Sequence, residues 1–415
     1  QVTNRAKFVE KWRETLEREN LPEDKLRMRE ASNRKRAPHV IIFDERIPTP
    51  DRDAGSARMM FILKSLVKWS RPVFVPLYRP HGIEYERLLW KEGIETAHLV
   101  EYPRILRTRN FYAAILSRPL VADNLLPRLR RKGGSSLKIV FDMVDAYFIR
   151  LAREHEVTRD AHWAEEAGKY REVELRLAGA SDLVWCNSSE DKKAVALEVP
   201  HVRIEVIPTI HPLHARGKAF EERAHLLFLG NLIHRPNADA VHHLMRDIFP
   251  LVKKSLPGVK LYIVGDNVTP EIATYAAPDV EVLGYVPDVE PLFQSCRLMV
   301  VPLRYGAGVK GKLGESLAYG LPVVTTTIGA EGFGLTDGAE ALIADEPQAF
   351  ASAVVRGYEG KDLWERLAEQ GHRHIEKYYT PEVVAEIINS SVQELGLTEL
   401  ERRAASSRDG VETNG

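Results

Sequence analysis

The strongest constraint in this sequence is a rhythm: short β-branched runs alternate with longer stretches of helical period, from His39 to Thr209 and again from His225 to Asp345. The first series reads "HVIIFD" (39–44), "PVFVPLY" (72–78), "TAHLVEY" (96–102), "LKIVFDMVD" (137–145), "DLVWCNS" (182–188) and "VRIEVIPT" (202–209). The second reads "HLLFLGN" (225–231), "VKLYIVGD" (259–266), "VEVLGYV" (280–286), "RLMVVPLR" (297–304), "LPVVTTT" (321–327) and "ALIAD" (341–345), with a helix expected over 238–256. Runs this apolar are covered on both faces, and parallel neighbours need a helical crossover to bring the chain back. The prediction is an α/β chain of two tandem Rossmann-like domains, and 415 residues suffice for two cores.

The remaining segments divide the chain further. Residues 1–37 predict a helical extension, with Phe8, Trp12 and Leu16 at four-residue spacing on a charged stretch. It is read as a helix packed outside the domain or a linker, with a docking helix as the alternative. The first domain is placed at 38–210, a Pro/Gly-bearing linker at 211–225 and the second domain at 226–375. Helices over 376–401 are expected to pack back toward the first domain, and the polar stretch 402–415 to be a disordered tail.

Composition narrows the function classes. With 58 Lys+Arg against 59 Asp+Glu the chain has almost no net charge, which argues against nucleic acid as the main partner. Cys186 and Cys296 sit in apolar runs and read as buried hydrophobes of a reducing compartment. No apolar run approaches the ~18 residues of a membrane span. The expected location is cytoplasmic, and the basic run "RLRRK" (128–132) leaves a peripheral contact with the inner membrane face open beside its plainer role at a helix C-terminus. The opening Gln1 suggests a processed chain or a piece of a longer one. The fourteen histidines form no H-x-x-x-H or HExxH pattern, and His372 and His374 read as a solvated helix face, so neither a metal nor a cofactor is expected. Nothing bears on oligomeric state.

The stretch "GAGVKGKLGESLAYGLPVVTT" (306–326) carries the clearest chemistry. It lies where an apolar strand ends and a helix begins, the edge at which open parallel sheets bind ligands. Gly306, Gly308 and Gly311 let a ligand approach the backbone, and a helix start offers free N–H groups to an anion. Lys310 and Lys312 add charges suited to phosphate oxygens, but the G-x-x-x-x-G-K-S/T order of a nucleotide-triphosphate loop is absent. Glu315 is either an i,i+3 surface partner of Lys312 or a carboxylate for ribose hydroxyls.

With "LLFLGNLIHRPN", "LYIVGD", "VEVLGYVPDVEPLF" and "VPLRYGAGVKGKLGESLAYGLPVVTTTIGAEG" in this order, the chain resembles the GT-B glycosyltransferases, specifically family 4, along 39–395 in architecture and most strongly over 225–333. The resemblance implies transfer of a hexosyl or deoxyhexosyl group from a nucleoside-diphosphate sugar to a glycan, lipid-linked or other hydroxyl acceptor, with retention and without metal. Glu315 would end the family's E-x7-E pattern as the ribose carboxylate, and the first glutamate is missing, with Gly308 read in its place. Gly230 and Asn231 stand where relatives carry Gly-Arg, leaving Arg235, Lys310 and Lys312 as cations for the diphosphate. Gly284, Tyr285 and Val286 match the segment that reads the base, Tyr285 being otherwise a packed aromatic, and Gly306 and Val309 complete the donor contacts.

In the first domain, Asp51, Arg52, Asp53, Gly55 and Ser56 resemble a family loop that touches sugar or acceptor; the plainer reading of Asp53 or Ser56 is a helix cap. Asp145 matches a strand-end acid, Tyr147 occupies the position of a sugar-contacting histidine, and Arg150 fits beside them. Retention would place the work on the departing diphosphate, with Lys310 and Lys312 stabilising it and Asp145 a weaker option as base. The alternatives are a catalytically silent nucleotide-sugar- or glycan-binding module and an epimerase of the same architecture.

Overall fold

The computed structural model describes residues 2–15, 37–52, 54–79, 83–133, 136–306 and 309–396. Two sheets, both wholly parallel, form its frame. The first holds β1 (His39–Arg46), β2 (Arg71–Tyr78), β3 (Glu95–Thr96), β4 (Phe111–Ser117), β5 (Lys138–Val144), β6 (Leu183–Cys186) and β7 (Ile204–Val206) in the order β3-β2-β1-β4-β5-β6-β7. The second holds β8 (Leu226–Leu229), β9 (Leu261–Val264), β10 (Val280–Gly284), β11 (Leu298–Val301), β12 (Val323–Thr325) and β13 (Leu342–Ile343) in the order β10-β9-β8-β11-β12-β13. The alternation in the sequence thus becomes two Rossmann-like units. In each, strand order reverses beside the first strand, between β1 and β4 and between β8 and β11, and a crevice opens at the carboxyl ends there.

Burial follows the strand period. Both faces of the first sheet are covered: Ile41, Phe43 and Val75 point into one apolar layer, and Val40, Ile42 and Phe74 into the other. The second layer includes Val384, Ile388 and Val392 of helix Pro381–Gln393, so the last described helix completes the first domain's core after the chain has passed through the second. Trp69 Nε1 bonds Asn389 Oδ1 and Trp185 Nε1 bonds Ser391 Oγ, fixing that helix in place.

Two strand readings change. The run 96–102 is not a strand: β3 stops at Thr96, Glu101 accepts a hydrogen bond from the His98 amide, and Pro103 sits in the first turn of helix Tyr102–Thr108. Proline donates no ladder bond but suits a helix start, which decides the outcome. The strand that pairs with β1 in the centre is instead "FYAAILS", whose two alanines weaken its β signal. The helix expected over 238–256 is interrupted: Arg235–His243 passes through a π segment, Leu244–Ile248, into Phe249–Ser255. Pro250 cannot take the i−4 bond, and the wider turn makes room for its ring. Phe8 and Trp12 are exposed, while Gln1, residues 16–36 with Leu16 among them, and 397–415 lie outside the described residues. No described helix is long and apolar enough to cross a membrane.

Because Ile388 is wholly buried in the first domain's core, Ile388→Ala is expected to destabilise that domain by about 2–5 kcal/mol. Denaturant unfolding followed by tryptophan fluorescence measures this, Trp69 and Trp185 both bonding the same helix.

Candidate functional site

The carboxyl end of β11 leads through 302–310 into helix Gly311–Ala318, with Lys310 at its N-cap. Gly306 has φ +146°, a conformation that L side chains rarely adopt. Lys310 folds back over it, its Nζ 3.7 Å from where a β-carbon on Gly306 would lie. Burial pushes the Lys310 ammonium down to about 8, with Arg153 adding to the fall and Glu331, Asp191 and Asp145 opposing it. Lys312 is exposed and bonds Glu315 Oε2 at 2.7 Å, the i,i+3 pairing. The E-x7-E spacing, counted back eight residues from Glu315, places the missing glutamate at Ala307 rather than Gly308; both lie outside the described residues.

Beside this turn, across the switch point, lies the end of β8. Gly230 and Gly265 approach so closely that a β-carbon on Gly265 would collide with the Gly230 carbonyl. Asn231 Oδ1 accepts from the Ile233 amide and from Asn267 Nδ2. Gly284 takes φ +66° at the end of β10, leaving Tyr285 68% exposed and Val286 half-buried, so Tyr285 does not pack in the core.

Facing these loops are the strand ends of the first domain. Val144 and Arg118, which end β5 and follow β4, have φ of +69° and +78°; for the β-branched Val144 this is strained backbone. Asp145 follows and pairs with Arg150 at 3.0 Å, and that guanidinium lies 4.2 Å from the Tyr147 ring. Tyr147 stacks on Tyr170, and burial, then Asp145, raises its phenol's pKa. Helix Tyr147–Thr158 is held at its start by Glu174, which accepts the Tyr147 and Phe148 amides at 3.1 and 3.0 Å.

The two domains touch through this helix. Arg153 forms a forked pair with Glu331 at 2.5 and 2.7 Å and donates to the Gly306 carbonyl at 2.9 Å. Buried Glu154 pairs with Arg235 at 3.0 Å, and that guanidinium lies 3.8 Å from the Trp163 ring. Arg235 is therefore engaged by the first domain. Sequence reasoning missed Arg153, Glu331, Glu174 and Trp163; the three-residue spacing of Tyr147, Arg150 and Arg153 is the one local signal that these side chains share a helix face.

The loop after β1 lies at the same edge. Asp51 and Arg52 are exposed and bridge through the Tyr85 hydroxyl, each at 3.1 Å. Gly55 is half-buried, while Ser56 is buried with its hydroxyl 3.4 Å from that of Thr49; Asp53 lies outside the described residues. In the basic run, Arg130 bonds the Ala180 carbonyl and Asp182, and Arg128, Arg131 and Lys132 rim a shallow hollow over Leu99, Val100 and Tyr102. Cys186 and Cys296 are free, buried thiols, each raised by burial to about 12. Among the described residues no group of three or more His, Cys, Asp or Glu could hold a metal ion.

Residues 223–359 match the family model described as Glycosyl transferases group 1. The whole architecture superposes on an Anabaena protein, Alr3699/HepE, in complex with UDP and glucose, at TM-score 0.64 and 12% identity, covering 86% of this chain and 100% of that one. It also superposes on a mutant of S. aureus TarM in complex with Fondaparinux, alpha-GlcNAc-glycerol and UDP, at TM-score 0.63 and 11% identity, covering 86% and 99%. The fold is that of a GT-B glycosyltransferase. A curated relative, an uncharacterized 44.6 kDa protein in the cps region of Klebsiella pneumoniae, is 24% identical over 254 residues; the match spans 59% of this chain and 62% of the relative's length. In this GT-B fold the group 1 match covers the second sheet and its glycine–lysine turn.

Since conformation rather than space demands glycine at 306, Gly306→Ala is expected to cost about 1–3 kcal/mol. The loss is read as a lowered denaturant midpoint with unchanged far-ultraviolet circular dichroism.

Proposed function

We propose that this protein is a retaining, metal-independent glycosyltransferase of family 4 that moves a hexosyl or deoxyhexosyl group from a nucleoside-diphosphate sugar to a glycan or lipid-linked hydroxyl acceptor. The observation that carries the reading is the glycine–lysine turn after β11, set at the switch point with Lys310 at a helix start and a charged wall of the first domain opposite. In this reading the diphosphate rests against the helix 311–318 amides and Lys310, with Lys312 reaching it from the exposed side. Glu315 exchanges its Lys312 partner for ribose hydroxyls, Gly284 to Val286 border the base, and Gly230 and Asn231 border the phosphates.

The chemistry follows from charge. In a retaining transfer the leaving diphosphate gathers negative charge as the sugar becomes oxocarbenium-like, and a desolvated ammonium beside it stabilises that charge more than water would. A phosphate oxygen takes the acceptor's proton. Asp145, tied to Arg150, serves better to hold Arg150 and Tyr147 against the sugar than to act as base. A silent binding module is the second reading, favoured by Tyr147 and by the missing first glutamate; slow hydrolysis of donor without acceptor separates the two.

A thermal-shift screen with UDP, GDP, ADP and dTDP, then their sugar conjugates, is expected to show stabilisation by one nucleotide; a shift with none of them sinks the donor-site assignment. Lys310→Ala is expected to lower kcat by roughly 10²–10³. Because the Lys310 ammonium is the useful form and burial holds its pKa at about 8, donor kcat/KM should fall as pH rises through about 8. Lys310→Ala should lack that alkaline limb.

A further inference from the structure

We propose that Arg153 is a positioning residue: reaching from the first domain, it holds the donor-binding turn of the second in shape by bonding the Gly306 carbonyl and Glu331. The inference rests on the reading of the second domain as the donor site.

Three observations carry it. First, the guanidinium makes three bonds across the cleft, two of them a planar fork to one carboxylate, which fixes direction as well as distance. Glu331 has only 9% of its side chain exposed, so little water competes for the pair. Second, Gly306 has a backbone conformation that few residues favour, and its carbonyl accepts a hydrogen bond from the first domain. Third, Lys310 lies over Gly306 and feels Glu331 as its strongest attractive charge. The Arg153 guanidinium, bonded to both oxygens of Glu331, offsets part of that attraction.

The helix that presents Arg153 is itself anchored. Glu174 holds its start, and Glu154, one residue on, grips Arg235 on the opposite side of the cleft. Separating the domains therefore breaks both contacts at once. The donor turn is braced only when the domains meet, which links its preorganisation to closure.

Hydrogen exchange on the full chain without nucleotide tests the bracing directly. Arg153→Ala is expected to speed amide exchange over 302–312 by about fivefold or more, with Arg153→Lys between it and wild type because lysine cannot form the fork. Unchanged exchange in that segment overturns the proposal. By calorimetry with UDP, or whichever of the four nucleotides binds, Kd should rise about tenfold in Arg153→Ala. An equal Kd overturns the link to the donor. The groups around Lys310 are Glu331, Asp191 and Asp145, which favour its charge, and Arg153, which opposes it. Removing Arg153 should move the alkaline limb of donor kcat/KM up by about one pH unit, a change that simple loss of stability would not produce. Should Arg153→Ala fail to fold, the exchange and affinity comparisons are decided on Arg153→Lys and Glu331→Gln. If wild type binds none of the nucleotides, the donor-site reading fails, and exchange alone decides whether Arg153 braces the turn.

Discussion

Parallel strands set the terms for everything else in this molecule. Every strand of both sheets runs the same way as its neighbours, so within each sheet the loops that leave the strands gather on one edge, and the helices that return the chain cover the faces. Variation at those edges costs the apolar layers nothing. The edges accordingly hold the strained and charged groups: Val144 and Arg118 with positive φ, Asp44 raised by burial to about 6 beside Arg118, and Gly306 under Lys310.

Charge placement across the cleft has a direction. The first domain contributes both signs from one helix, Arg153 to an acid and Glu154 to a base. Breaking a buried pair by removing one partner strands the other charge, so the Arg153–Glu331 contact resists opening more than an exposed pair would. Arg235 is the exception, since half of its side chain remains exposed and the Trp163 face supplies part of its environment. A ligand carrying several negative charges could draw Arg235 away at lower cost than it could draw Arg153. The two adjacent contacts thus differ in how readily they give way.

How much of this could be read beforehand differs by level. Strand alternation is local, and it suffices for two Rossmann-like units. It misled at 96–102, where a proline and a glutamate that accepts the His98 amide outweighed the apolar pattern, and it overlooked "FYAAILS", whose central position comes from pairing with β1. In the site, glycine spacing and a helix start mark the 306–315 turn because backbone conformation and free amides are properties of adjacent residues. Arg153 and Glu331 are 178 residues apart, and nothing in either neighbourhood announces the other.

The sequence by itself determined the α/β class, the two parallel sheets and a glycine–lysine turn suited to an anion at the head of a helix. Those follow from hydrophobic period and from backbone constraints that act over a few residues. Only the tertiary structure decided which charges meet: that Lys312 lies on Glu315 while Lys310 is drawn inward, that Arg235 turns to Glu154 and Trp163, and that Arg153 crosses the cleft to Gly306. Coulomb attraction and desolvation depend on distance in space and on what excludes water, and both are set when the sheets and helices pack.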